Sequence, residues 1–171
     1  MVSQSGGFGF SVMNLAAFVG KLKFRQAVTT GNEIGVSTLD FMDYFIDDRD
    51  TEIIVAYIEG LKDAHRLIGI GRKALASRKP ILAWKVGNSD EGRRAAASHT
   101  ANLGGAMALY RAAFRQAGIL QVTDIDDVID YGRAFRYGKL PRGNRVAIIT
   151  VSGGAGILMT DECIARGMRL A

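Results

Sequence analysis

Cysteine, proline and histidine are scarce: 171 residues hold one Cys, two Pro and two His. A lone Cys163 excludes an intramolecular disulfide and any cysteine-based zinc cluster. His65 and His99 stand far apart in the chain, so no metal site is expected from them. Nothing approaches a run of about 18 apolar residues, and no basic-then-apolar leader opens the chain. No membrane contact is therefore expected, and the default location is the cytoplasm. Basic runs and interleaved aromatic platforms are missing as well, which argues against nucleic acid as a partner. The 22 Lys and Arg against 17 Asp and Glu leave a net charge of +5, a mild excess that suits phosphates and nucleotides.

Glycine is what the chain has in plenty, 21 of 171 residues or about 12%, against a usual ~7%. With so little proline beside it, this is not low complexity. It is the composition of an α/β protein whose backbone turns sharply and approaches ligands closely. Strand-length apolar runs at Gln26–Thr29, Ile53–Ile58, Ile81–Val86, Ile119–Val122 and Val146–Val151 alternate with amphipathic segments. Those segments, at Phe10–Gly20, Thr38–Asp47, Asp63–Ser77, Gly105–Ala117, Asp126–Tyr137 and Ala155–Arg166, read as helices. The alternation predicts a doubly wound parallel sheet with helices on both faces. Ser37-Thr-Leu-Asp40 reads as a capping-box variant, and Thr123-Asp124 signals a second helix start.

The chain reads as a piece of something larger. Met1-Val2 runs directly into the Gly-rich turn Ser3-Gln-Ser-Gly-Gly-Phe-Gly9, leaving a preceding strand truncated. The same turn returns 147 residues later as Thr150-Val-Ser-Gly-Gly-Ala-Gly156, there with its strand. The expected organisation is one domain over 1–138, a linker over 139–144, and the first strand and helix of a second α/β domain over 145–171. Whether the terminal strand fills the vacated position in the first sheet, within the chain or between chains, is a question the sequence leaves open. A truncated sheet edge also invites a homodimer.

Three segments bear on chemistry. In the Ser-Gly-Gly turns the backbone N–H groups are exposed at a helix start, so Ser5, Gly6 and Gly7 form a candidate cradle for phosphate or another oxyanion. Neither copy is a P-loop, because no Gly-Lys-Ser/Thr follows. Gly69-Ile-Gly-Arg-Lys-Ala74 satisfies a loose dinucleotide pattern but lies inside a predicted helix, and is set aside. The stretch Glu91–Gly105 follows a strand and carries His99 among small residues. A long loop at the carboxyl end of a strand is where open α/β sheets hold ligands. Neutral imidazole is a good nucleophile towards phosphorus. His65, at a helix start, reads as a surface residue.

Ala95-Ala-Ala-Ser-His-Thr100, with Gly87-Asn-Ser89 and Arg93-Arg94 upstream, resembles the phosphohistidine loop of the NDP-forming acyl-CoA synthetases. These are the relatives of succinyl-CoA synthetase and ADP-forming acetyl-CoA synthetase. Ser3-Gln-Ser-Gly6, Thr30-Gly-Asn-Glu33 and Tyr57-Ile-Glu-Gly60 resemble that family's motifs in order and spacing. The segment from Arg142 onward is similar to the start of its second ligase domain. The resemblance implies a flavodoxin-like fold and part of an ADP-forming acid–CoA ligase, incomplete as an isolated chain. Acyl-CoA and phosphate would give an acyl phosphate, which phosphorylates a histidine that passes the group to ADP. His99 would be that nucleophile, Glu59 the carboxylate orienting it, Ser5, Gly6 and Gly7 the phosphoryl cradle, and Asn32 a substrate-side contact. This fragment itself would bind no cofactor. CoA, ADP or ATP and Mg would serve the complete enzyme, with an ATP-grasp domain or subunit and a CoA-binding domain as partners. One departure stands out: Ala101-Asn-Leu-Gly-Gly105 replaces the family's Gly-Ser-Leu-Ala-Gly. Two other readings are a non-catalytic regulatory domain, as in a protein acetyltransferase fusion, and a plain ligand-binding module.

Overall fold

A computed structural model describes residues 1–87, 89, 91–92 and 107–171. These form two compact units, Met1–Gly138 and Lys139–Ala171.

In the first unit the elements run β1 (Val2–Ser3), α1 (Gly6–Phe18), β2 (Val28–Thr29), α2 (Thr38–Asp47), β3 (Ile54–Ile58), α3 (Ala64–Ala76), β4 (Ile81–Lys85), α4 (Met107–Ala117), β5 (Leu120–Val122) and α5 (Ile125–Tyr137). All five strands are parallel, in the order β2-β1-β3-β4-β5. This is the flavodoxin-like order, whose direction of winding reverses between β1 and β3.

Strand alternation sorts the core onto two faces. Ile54, Ala56 and Ile58 of β3, with Ile81 and Ala83 of β4, pack under Leu39, Met42 and Phe45 of α2, Leu67 and Ile70 of α3, and Tyr110 and Phe114 of α4. The intervening Val55 and Leu82 face Val12 of α1 and Val128 of α5. The glycines of the rejected dinucleotide pattern lie within α3, and one has a packing role. A Cβ on Gly71 would come within 2.5 Å of the Ala117 carbonyl oxygen, so α3 and α4 cross there at backbone contact.

Both sequence-based helix starts are present. Ser37 Oγ accepts from the Asp40 amide while Asp40 accepts from the Ser37 amide, closing a capping box. Asp124 caps α5 by accepting from the Asp127 amide at 2.8 Å.

The beginning of the sheet departs from expectation. Its first position is not vacant: Val2 and Ser3 fill it, paired with Val28–Thr29 on one side and Ala56–Tyr57 on the other. A strand this short is missed by periodicity but is fully buried, with Val2 at 0% exposure. In the second unit β6 (Arg145–Val146) leads through α6 (Gly153–Ala165) to β7 (Arg169–Leu170), and β6 pairs with β7 in a separate two-stranded sheet. The terminal strand thus has a partner of its own. It is also shorter than the apolar run Val146–Val151, because only its first residue pair finds a neighbour among the described residues. Helix α1 starts at Gly6, four residues ahead of the apolar pattern.

The capping box carries a pH signature. Hydrogen bonds from the Ser37 amide and hydroxyl, then from Arg66, hold the Asp40 carboxyl down at about 2 from an ordinary 3.8. A depressed carboxylate stabilises the fold above its unfolded value and loses that contribution as pH falls through the folded one. Melting curves of wild type and Asp40→Asn should therefore differ most above about pH 4 and converge towards pH 2, with the exposed Arg66 contact adding little.

Candidate functional site

The sequence-predicted residues that the structure describes gather at the carboxyl edge of the sheet. Ser5–Gly7 follow β1, Asn32 follows β2, and Glu59 follows β3. The crevice between the ends of β1 and β3 is the switch point at which such sheets take ligands. His99 lies outside the described residues.

The turn after β1 is built by Ser3. Its hydroxyl donates to the Ser5 carbonyl at 2.6 Å and accepts from the Ser5 amide at 3.2 Å. That bends the chain off the sheet, and Gly9 N–H then closes the first helical bond onto the Ser5 carbonyl at 3.0 Å. Ser5 is the N-cap, yet its side chain makes no capping bond. The described caps of α2, α3, α5 and α6 (Ser37, Asp63, Asp124 and Ser152) all make one. No acidic residue lies in the first turn of α1 either, so the helix supplies no counter-charge to its own positive end.

The glycines of this turn have different reasons. A Cβ on Gly9 would meet the Ser3 Cβ at 2.7 Å and its hydroxyl at 2.8 Å, so packing demands glycine. Gly6 and Gly7 are exposed, and among the described residues a Cβ on either would meet nothing within 4 Å. Neither has the positive φ that favours glycine. Their missing side chains leave the described surface before the helix N–H groups uncovered.

The repeat in the second unit copies this arrangement. Thr150 Oγ1 donates to the Ser152 carbonyl at 3.3 Å and accepts from its amide at 3.1 Å. Gly153 and Gly154 are likewise open, and Gly156 faces Thr150 as Gly9 faces Ser3. The difference is Ser152 Oγ, which accepts from the Ala155 amide at 3.3 Å.

Glu59 is 5% exposed and continues the face of β3 that carries Val55 and Tyr57. The Tyr57 hydroxyl is pushed above its ordinary pKa, chiefly by burial and secondarily by the Glu59 charge. Phe8, on the first turn of α1, packs at 4.6 Å from Tyr57 and 5.2 Å from Trp84. On the opposite face, buried Lys85 at the end of β4 sits 4.8 Å from the Tyr110 ring and donates to the Val86 carbonyl.

Two buried polar residues here escaped attention in the sequence, Gln4 and Glu33. Gln4 Oε1 accepts from the Glu59 amide at 2.5 Å and the Gly60 amide at 3.0 Å. Its Nε2 donates to the Gly60 carbonyl at 2.6 Å and to Glu33 Oε1 at 2.9 Å. Gln4 sits inside the Gly-rich turn and Glu33 inside a motif that carries the family resemblance; the available signal for both is a polar residue abutting an apolar strand. Asn32, by contrast, is exposed and borders a shallow cleft of about 330 Å³ with Thr30, Ile34, Val36 and Phe41. A larger cleft of about 440 Å³ lies at the other edge of the sheet, around Phe24, Arg25 and Arg136, and includes none of the predicted residues. Among the described residues no group of three or more His, Cys, Asp or Glu could hold a metal ion, and no helix is long and apolar enough to cross a membrane.

Residues 1–135 match the succinyl-CoA ligase like flavodoxin domain. The chain belongs to that family. It is 41% identical over 170 residues to the alpha subunit of acetate–CoA ligase [ADP-forming] II of Pyrococcus furiosus, covering 99% of this chain and 36% of that protein. It is 31% identical over 172 residues to 4-hydroxybutyrate–CoA ligase [ADP-forming] of Nitrosopumilus maritimus, covering all of this chain and 24% of that protein. Its fold is similar to that of "dinucleotide forming Acetyl-coenzyme A synthetase 1 in complex with phosphate and ADP" of Ca. Korarchaeum cryptofilum. There the TM-score is 0.87 at 35% identity over 99% of this chain and 37% of that one. The flavodoxin-like domain and the kinship with ADP-forming ligases thus stand, while the chain spans well under half the length of these relatives.

The contrast between glycines is testable by thermal melting. Gly9→Ala should cost about 1–3 kcal/mol through overpacking against Ser3. Gly7→Ala should leave the melting temperature unchanged or raise it slightly, since alanine is the better helix former.

Proposed function

We propose that this chain is the phosphohistidine-bearing part of an ADP-forming acid–CoA ligase. In the complete reaction, phosphate displaces CoA from an acyl-CoA to give an acyl phosphate. His99 then attacks its phosphorus, the P–O bond to the acyl group breaks, and the acid departs. Phospho-His99 next gives the phosphoryl group to ADP, forming ATP and regenerating the imidazole.

The observation that carries this reading is the uncapped, glycine-opened amino terminus of α1 beside buried Glu59 at the sheet's switch point. Helix N–H groups that no side chain caps among the described residues are suited to stabilise a dianionic phosphoryl group as charge moves onto it. The role assigned to Glu59 is to accept a hydrogen bond from one ring N–H of His99, which fixes the tautomer and makes the other nitrogen the nucleophile. Ser5 Oγ supplies a further donor to the phosphoryl oxygens. Asn32 is assigned a substrate-side contact on the neighbouring loop.

CoA, nucleotide and Mg belong, in this proposal, to a CoA-binding domain and an ATP-grasp domain or subunit acting with this chain in the cytoplasm. Mg would neutralise nucleotide phosphate charge in that partner. Lys139–Ala171 would be the start of a second ligase domain. The named acids of the relatives, acetate and 4-hydroxybutyrate, differ in size, so family membership leaves the acyl group open.

Phosphorus NMR of the chain mixed with ATP, Mg and an ATP-grasp partner subunit tests the relay. An acid-labile phosphoryl signal should form and be absent in His99→Asn, whose fold should persist. Glu59→Gln should slow its formation by about 10- to 100-fold, the usual cost of losing such an orienting group. Absence of the signal with a competent partner would overturn the relay and favour a regulatory role.

A further inference from the structure

We propose that Gln4 is a positioning residue for Glu59, acting through the backbone at the end of β3; this rests on the relay reading above.

The β1–β3 ladder is short. Val2 pairs with Ala56 and Ser3 with Tyr57, and the Gln4 amide still donates to the Tyr57 carbonyl at 3.2 Å. One residue later the main chain leaves the sheet to begin α1, so no backbone acceptor follows for the amides of Glu59 and Gly60. The side chain of Gln4 takes over. Its oxygen accepts from both amides, and its NH2 donates to the Gly60 carbonyl. A carboxamide thus stands in for a strand residue and holds three backbone groups of the Glu59–Gly60 turn.

The amide itself is held in one orientation. Two N–H groups face its oxygen, and a carbonyl and a carboxylate face its nitrogen. Rotating the amide by half a turn would set donors against donors and acceptors against acceptors. Glu33 supplies the carboxylate, and is immobilised in turn. Its Oε1 also accepts from the Thr38 amide at the start of α2 at 2.7 Å and lies 3.3 Å from the Thr30 hydroxyl. Its carbonyl accepts from Lys62 Nζ at 3.0 Å, and its backbone takes a left-handed φ of +54°. A glutamate keeps that conformation only where surrounding contacts determine it.

Gln4 and Glu33 are 1% and 6% exposed, so these bonds are made away from water, where geometry is most strongly enforced. The chain of contacts runs from the loop after β2, through Gln4, to the backbone that carries Glu59. Gln4 touches no part of the phosphoryl path. Its effect is on where the Glu59 carboxylate stands, and a displacement of about 1 Å at an orienting group costs on the order of 100-fold in rate.

The test is a double-mutant cycle on phosphoryl transfer to His99, with ATP, Mg and an ATP-grasp partner subunit. Gln4→Met keeps the side chain's length and removes both hydrogen-bonding functions. It should slow transfer about 10- to 100-fold in the chain with Glu59, and cause no further slowing in the Glu59→Gln background. Equal slowing in both backgrounds would overturn the proposal, because Gln4 would then act independently of the carboxylate. Hydrogen exchange supplies a readout besides rate. The amides of Glu59 and Gly60 should exchange at least about tenfold faster in Gln4→Met, while those of Val55 and Leu82 keep their wild-type rates. Uniform change, or none at Glu59, overturns it as well. Should Gln4→Met not fold, Gln4→Glu takes its place in the cycle: it keeps an oxygen facing the two amides but sets its other oxygen against the Gly60 carbonyl and Glu33. Slowing should again appear with Glu59 and vanish in the Glu59→Gln background, and equal slowing in both overturns the proposal. A wild-type chain that takes no phosphoryl group overturns the relay itself, a failure seen before any variant is compared.

Discussion

A central strand of a parallel sheet must satisfy backbone groups on both of its edges, and here that strand is two residues long. The rest of the first unit depends on how this demand is met. Val2 and Ser3 pair on both sides, and their neighbours in sequence then do unusual things. The Ser3 hydroxyl bends the chain away into α1, and the Gln4 carboxamide continues the ladder after the main chain has gone. Both effects come from polar side chains, one on the last paired residue and one on the residue after it. Together they bring a helix amino terminus and a buried carboxylate to the same end of adjacent strands.

The two Ser-Gly-Gly turns show how one local design can serve different ends. Each uses a hydroxyl two residues before the N-cap to hook its backbone, and each leaves the first two helical glycines uncovered among the described residues. In the second unit the capping serine turns inward and satisfies its own helix. In the first it makes no such bond. A helix that leaves its cap unmade forgoes about 1 kcal/mol of stability, and active sites are where such local concessions recur.

Much of this was legible before any coordinates. The order of strands and helices, the parallel sheet, the capping box at Ser37 and the start of α5 follow from periodicity and cap chemistry. So does the placement of Glu59 at the end of β3. What could not be read has a common cause. Val2–Ser3 is too short to show a period, and its identity as a strand depends on partners 26 and more residues away. Gln4 and Glu33 look like ordinary polar residues until the register of three strands places them against one another. Helix α1 begins at Gly6 against glycine's poor propensity because the Ser3 hook, a tertiary-like contact over two residues, sets its start. Asn32, which the resemblance implies as a substrate-side contact, is exposed after β2 and borders a cleft with Thr30, Ile34, Val36 and Phe41.

Gly71 offers a last consequence. Because α3 and α4 meet there at backbone distance, with Gly71 against the Ala117 carbonyl, the carboxyl end of α4 is fixed against the core that Leu67, Ile70 and Phe114 share. That end leads through Gly118 and Ile119 into β5, which pairs with β4 at the border of the sheet. A side chain at position 71 would therefore be felt less as a local clash than as a shift of the strand that closes that border.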